Sequence, residues 1–184
     1  VAYSLPSALD LSTAPAGLTQ QVDAPIEYQI YGNDSATVRA QIAQCAPKMG
    51  SGEFTGDTSY TINWQYNYGM NGGTCILSSA KVGVHINEVL PAWHGSSATP
   101  ASFAGKWQSF MSALNTHEQG HVHLDEAMTG TMLTQLQAFT APSCDGIAGA
   151  INVQMQNDLA TLNAQNENYD AQTNHGVTQG AIIP

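Results

Sequence analysis

His117-Glu118-Gln119-Gly120-His121 sets two imidazoles four residues apart with a carboxylate beside the first. On a helix, positions i and i+4 lie one above the other, so both rings can reach a single ion. The glutamate is then directed at the coordination position left open. There it can take a proton from zinc-activated water and pass it to a leaving amine. Composition alone yields the pattern in under about 1% of such chains. The bland reading is a pair of core histidines with an exposed glutamate. Two imidazoles and a carboxylate on a buried stripe would then need a partner for every polar atom, a need that a metal meets directly. Gly120 points the same way: glycine inside a helix costs roughly 1 kcal/mol relative to alanine, so another backbone or a substrate is expected to pass close by.

A zinc hydrolase needs a third protein ligand. Asp125 cannot join both histidines, because it lies roughly 12 Å along an unbroken helix from His117. His123 points to another face. The next helix returns antiparallel, so residues from about Leu162 to Tyr169 pass the level of the two histidines, and the chain beyond can fold over the metal. Glu167, Asp170 and His175 are the candidates. Glu167 has the best level, Asp170 would match zinc peptidases with an aspartate ligand, and His175 precedes Gly176, where a loop can turn sharply. Spacing alone leaves the three open.

The elements that must position these groups are readable from periodicity. Residues 1–24 mix Pro, Ser, Ala and Thr without a period and are expected as an N-terminal arm or short strand laid over one domain, residues 25–184. Ile26 to Tyr31 alternates as a half-buried strand, and a short helix follows, capped at Asp34 or Ser35, with Val38, Ile42 and Cys45 facing inward. Tyr60 to Tyr68 alternates again, Asn71-Gly72-Gly73 signals a hairpin turn, and the partner strand runs from Cys75 to Leu90, where Pro91 is expected to stop it. From Phe103 to Phe139 apolar residues recur at helical spacing through Trp107, Phe110, Leu114, Leu124, Met128, Met132 and Leu136. His117 and His121 fill the gap in that stripe. After Pro142 and Ser143 a further helix carries Ile147, Ile151, Met155, Leu159, Leu162, Asn166 and Tyr169 inward. The expected fold is α+β: a small antiparallel sheet packed on two long antiparallel helices.

The chain has 184 residues, 42% of them hydrophobic, enough for one core of ordinary size. Arg39, Lys48, Lys81 and Lys106 face 14 acidic residues, so no cationic stripe exists to neutralise phosphates, and nucleic acid is a poor candidate partner. No run reaches the roughly 18 apolar residues of a membrane helix. A start at Val1 fits a processed export signal or a trimmed chain. Cys45, Cys75 and Cys144 allow three single pairings, or three buried thiols in a reducing compartment, and none has zinc-knuckle spacing. His85 and His94 could line a groove beside an edge strand but read better as surface residues. Trp64, Tyr66 and Tyr68 read as sheet packing.

Trp64-x-Tyr66-x-Tyr68, Cys75, Leu90-Pro91-x-Trp93, Trp107-x-x-Phe110, the zinc motif, Cys144 and the block Tyr169-Asp170-x-x-Thr173-x-His175-Gly176-x-x-Gln179-Gly180-Ala181 resemble a bacterial family of predicted secreted zinc-dependent proteases, once defined as a domain of unknown function. The resemblance runs from Ile26 to Pro184. It implies a zincin-like peptidase scaffold, export to the periplasm or beyond, and a disulfide between Cys75 and Cys144, with Cys45 left as a lone buried thiol. It also moves His175 ahead of Asp170 and Glu167 as third ligand, with Tyr169 or Asp170 orienting a ligand or stabilising an oxyanion. The expectation is a zinc peptidase using His117, His121 and His175 as ligands and Glu118 as general base, acting on protein or peptide substrates. The alternatives are an exported zinc-binding protein without catalysis, and a zinc amidase acting on cell-wall material.

Overall fold

The structure, a computed structural model, describes residues 15–49, 52–53 and 55–184. Its centre is one long strand, β6 (Thr74–His94), which pairs antiparallel with β5 (Asp57–Asn71). The two join through Gly72 and Gly73, with φ of 58° and 89°. A two-residue turn of that kind needs left-handed backbone at both positions, which glycine adopts without a Cβ clash.

The short strands β3 (Lys48–Met49) and β4 (Gly52–Glu53) pair with each other in a separate sheet. The other edge of β6 is occupied by three short strands in succession. β7 (Thr140–Ala141) pairs antiparallel at Cys75 and Ile76, β1 (Leu18–Val22) parallel at Val82 to Ile86, and β2 (Ile26–Tyr31) parallel at Val89 to His94. This mixed five-stranded sheet, with three helices, replaces the small antiparallel sheet on two long helices expected from the sequence. The physical reason is that alternation identifies a half-buried strand but carries no information on the direction of its partner. β1 and β2 run along β6 in its own direction, which no hairpin signal could announce. Pro91 does not end β6, because the β5 ladder has already stopped at Asp57↔Val89 and β6 is bordered there by β2 alone. Part of the expected arm is thus a sheet strand, and residues 1–14 lie outside the described residues.

Helix α1 (Ser35–Cys45) is capped by Asp34, whose carboxylate accepts from the Thr37 backbone N–H at 2.9 Å. Val38 and Ile42 face inward, but Cys45 is exposed, contrary to the buried thiol expected. Helix α2 (Ala101–Ala138) crosses the face of β6 formed by Val82, Val84, Ile86, Glu88 and Leu90. Along α2 the packing changes partner in order: Phe103, Trp107, Phe110 and Leu114 cluster with Leu90, Val122 meets Val84 and Ile86, and Met128 to Leu136 meet Val82. Helix α3 (Ile147–Thr173) returns along α2 and ends in a 3-10 turn at Val177–Gln179. Cys75 and Cys144 form a disulfide that ties β6 to the segment before α3. No helix among the described residues is long and apolar enough to cross a membrane.

Candidate metal centre

His117, Glu118 and His121 are all buried in the middle of α2. One carboxylate oxygen from α3, Asp170 Oδ1, lies 3.1 Å from His117 Nε2 and 3.0 Å from His121 Nε2. These three ligand atoms all lie within 4.8 Å of one another. Ligands about 2.0–2.1 Å from a tetrahedral zinc would stand roughly 3.3 Å apart, close to the two distances to Asp170 Oδ1.

The far side of each ring decides what those nitrogens can do. His117 Nδ1 is 3.1 Å from Gln179 Oε1, and His121 Nδ1 is 2.6 Å from Asn166 Oδ1. An amide oxygen only accepts, so each ring carries its proton on Nδ1 and a neutral ring leaves an Nε2 lone pair pointing at Asp170. Two lone pairs and a carboxylate oxygen repel unless a proton or a cation stands among them. The donor set therefore fits a divalent metal such as zinc. Burial pushes the His121 pKa down, but the bonds to Asp170 and Asn166 outweigh it and hold the pKa above its ordinary value. Burial likewise works against the Asp170 carboxylate, yet the two imidazoles hold its pKa far below the usual range.

The amides are themselves fixed. Asn166 Nδ2 donates to Asp125 Oδ1 at 3.1 Å and to the Leu162 carbonyl at 3.3 Å. Gln179 Nε2 donates to the Tyr169 hydroxyl at 3.0 Å, and that hydroxyl donates to the His117 carbonyl at 3.2 Å. The Tyr169 ring stacks on the His117 ring at 5.1 Å. Gly120 exists for this contact, since a Cβ there would stand 2.1 Å from the Tyr169 hydroxyl. The close neighbour is a side chain, where the sequence suggested a backbone or substrate.

Glu118 is held from the sheet. Its Oε2 accepts from the Thr58 hydroxyl at 2.7 Å, and a Cβ on Gly56 would stand 2.5 Å from its Oε1. Opposite Thr58 on β6, buried Glu88 accepts from Gln119 Nε2 at 3.1 Å, so one cross-strand pair grips two consecutive motif residues. Burial raises the Glu118 pKa against the lowering effects of Thr58 and the two imidazoles.

The site opens into a cleft of about 1130 Å³ lined by β5, α2, α3 and the chain end, with Asp57, Glu118, Glu167, Asp170 and His175 on its wall. Of the three third-ligand candidates, Asp170 takes the place between the imidazoles. His175 stands beyond it, with Nδ1 3.5 Å from Asp170 Oδ1 and the side chain 53% exposed. Glu167 lines the cleft but does not join the three-atom set. His85 pairs with Asp23 at 2.7 Å, and His94 with Gln29, away from the cleft. The roles of Asp125, Asn166, Gln179, Thr58 and Gly56 were missed. Two of them carried a sequence signal, Asn166 on the inward stripe of α3 and Gln179 in the terminal block that follows Tyr169.

A bacterial family described as a protein of unknown function (DUF922) matches residues 26–176. The match includes the three converging ligands and stops short of Gln179. No curated protein and no solved structure matches the chain.

Proposed function

The chain belongs to the DUF922 family, and from that premise we propose that it is an exported zinc hydrolase cutting peptide bonds, with His117, His121 and Asp170 holding the ion and Glu118 as general base. The observation that carries this reading is the convergence of two Nε2 atoms and Asp170 Oδ1 beside Glu118, while both Nδ1 protons are committed to amide oxygens. Three protein ligands leave a fourth position open, as catalysis requires and a structural site does not. A zinc ion held there supplies Lewis acidity, polarising a carbonyl and bringing the pKa of water toward neutrality.

The chain's own groups do the rest. Thr58 and Gly56 hold the Glu118 carboxylate in one orientation at the cleft wall. Its burial raises its proton affinity above that of a free glutamate, which suits a group that must accept a proton from water and return it to the leaving nitrogen. Asp170, held ionised, balances one of the cation's two charges. The Cys75–Cys144 disulfide supports an oxidising destination.

The test is zinc stoichiometry and hydrolysis of an unspecific protein substrate by wild type beside Glu118→Gln. One zinc in each, with a loss of about 10²–10⁴-fold in turnover for the variant, is expected. Equal zinc and no cleavage by either across a broad panel would sink the hydrolase reading in favour of a zinc-binding protein. Absence of zinc from both would remove the metal centre itself.

A further inference from the structure

The cleft is lined differently on the two sides of the candidate metal centre. Toward the C-terminal end of α2 its wall carries Tyr60, Asn163, Asn166 and Glu167, and the Tyr60 hydroxyl donates to Asn163 Oδ1 at 2.6 Å. Toward the N-terminal end it carries Phe110, Leu114, Val177, Ile182 and Ile183, with Arg39 beside them. Phe110 and Leu114 are covered and form a floor, whereas Val177 is 41% and Ile182 60% exposed. This apolar half begins at the general base, since a Cβ on Gly56 would stand 2.5 Å from Glu118 Oε1 and 3.2 Å from Leu114 Cδ1.

The two exposed side chains are held by the segment that follows α3. Gly176 brings its backbone against His117, and at Gly180 a Cβ would stand 3.6 Å from Ala113 Cβ, so the segment lies along α2 just before the zinc motif. Ala181 is then buried and Ile183 partly buried in the Phe110–Leu114 cluster, which leaves Ile182 between them facing the cleft. Arg39 of α1 donates to the Ile183 and Pro184 carbonyls at 2.7 and 3.2 Å and ties the segment down. A single exposed aliphatic residue is ordinary. Two of them on an anchored segment, over an apolar floor that reaches the general base, make a surface that a ligand's side chain would cover. We infer that this half of the cleft is the specificity subsite, and that the substrate carries a large apolar side chain on a residue flanking the bond to be cut. The inference rests on the hydrolase reading and names the substrate class for it, with Val177 and Ile182 as the specificity-determining residues.

Zinc-loaded wild type is to be compared with Ile182→Ser and with the Val177→Ser, Ile182→Ser double variant. The probes are phosphinic peptides in which each residue flanking the phosphorus is in turn leucine, serine or aspartate, and their affinities are read by calorimetry. The phosphinic group is the same in every member, so the affinity ratio reports the side chain. Zinc stoichiometry, melting temperature and the cleavage sites in a peptide library are read alongside. At one of the two flanking positions, wild type should bind leucine about 10–100-fold more tightly than serine or aspartate, and library peptides should be cut beside a large apolar residue. The double variant should keep one zinc and the wild-type melting temperature and lose most of that ratio. Ile182→Ser, at the more exposed position, carries the comparison if the double variant does not fold. Equal affinities at both positions in wild type, or an unchanged ratio in the variants, overturn the inference and leave the hydrolase reading intact. Loss of zinc from the variants makes the segment a support of the metal centre and also overturns it. A wild type that prefers leucine and cleaves nothing keeps the subsite and overturns the hydrolase reading instead.

Discussion

The two ends of the α2–α3 pair are built from different materials on the same spacing. At one end Met128, Met132, Leu133 and Leu136 of α2 meet Ile147, Ile151, Met155 and Leu162 of α3, beside the Cys75–Cys144 disulfide. At the other, His117, His121 and Asp125 meet Asn166, Tyr169, Asp170 and Thr173 through hydrogen bonds. The hydrocarbon end is stabilised by burial that needs no particular orientation. The polar end must satisfy each donor and acceptor by direction, and its residues retain an unmet lone-pair convergence that only a cation or proton resolves. One end can thus supply rigidity that the other does not have to generate.

The largest expected effect breaks the comparison at the hydrocarbon end. Ile151 is fully buried there, and Ile151→Ala should cost about 2–5 kcal/mol in chemical denaturation. Its zinc affinity, measured by chelator competition in the folded range, should stay within about threefold of wild type. A zinc affinity that fell in step with stability would show that the two ends are one cooperative unit.

The same contrast explains what could be read from the sequence. The α2 stripe, the Gly72-Gly73 turn and the Cys75–Cys144 pair were legible because local periodicity, turn chemistry and family likeness each point to one geometry. The parallel edges were not, since the direction in which Ile26–Tyr31 pairs depends on a strand some sixty residues away in sequence. At the site, the convergence of His117 and His121 on one face of α2 was legible from i, i+4 geometry, and the level of α3 was right to within a turn. Placing Glu167, Asp170 and His175 required the rotation of α3 about its axis, and the left-handed turn after Thr173 sets His175 Nδ1 3.5 Å from Asp170 Oδ1, while Asp170 Oδ1 itself stands between the two imidazoles. Asp125 was set aside because it is too far to be a ligand, yet it acts at one remove through Asn166, an arrangement that no spacing rule reports.

A smaller effect sharpens the polar end through Asp125. Asp125→Leu removes the acceptor that fixes the Asn166 amide, leaving the Leu162 carbonyl as the described partner of Nδ2. Zinc affinity should fall about 10–100-fold, whereas Asp125→Asn, which still offers an oxygen, should stay close to wild type. The pH dependence separates the charge from the hydrogen bond. Burial raises the Asp125 pKa from 3.8 to about 6, against the lowering effect of Asn166. The folded state then binds the proton more tightly than the unfolded state, so zinc-free wild type should gain stability as pH falls from about 6 toward 3.8, by on the order of 1–3 kcal/mol from this group. Asp125→Asn should flatten that part of the profile, and an unchanged profile would place the titration elsewhere.

The last comparison lies within α2 itself, between its two central glycines. At Gly120 a Cβ would stand 2.1 Å from the Tyr169 hydroxyl, while at Gly130 nothing lies within 4 Å. Helix propensity favours alanine at both by roughly 1 kcal/mol, so any difference in outcome measures what the neighbours demand. Gly120→Ala must displace Tyr169, and with it the hydroxyl that holds Gln179 against His117, so a net loss of about 1–3 kcal/mol is expected together with weaker zinc binding. Gly130→Ala should instead raise stability by up to about 1 kcal/mol and leave zinc binding unchanged. If both substitutions stabilise, Tyr169 moves aside freely and does not orient His117. If both destabilise, the hydrocarbon end is as tightly fitted as the polar end, and the division of labour between them fails.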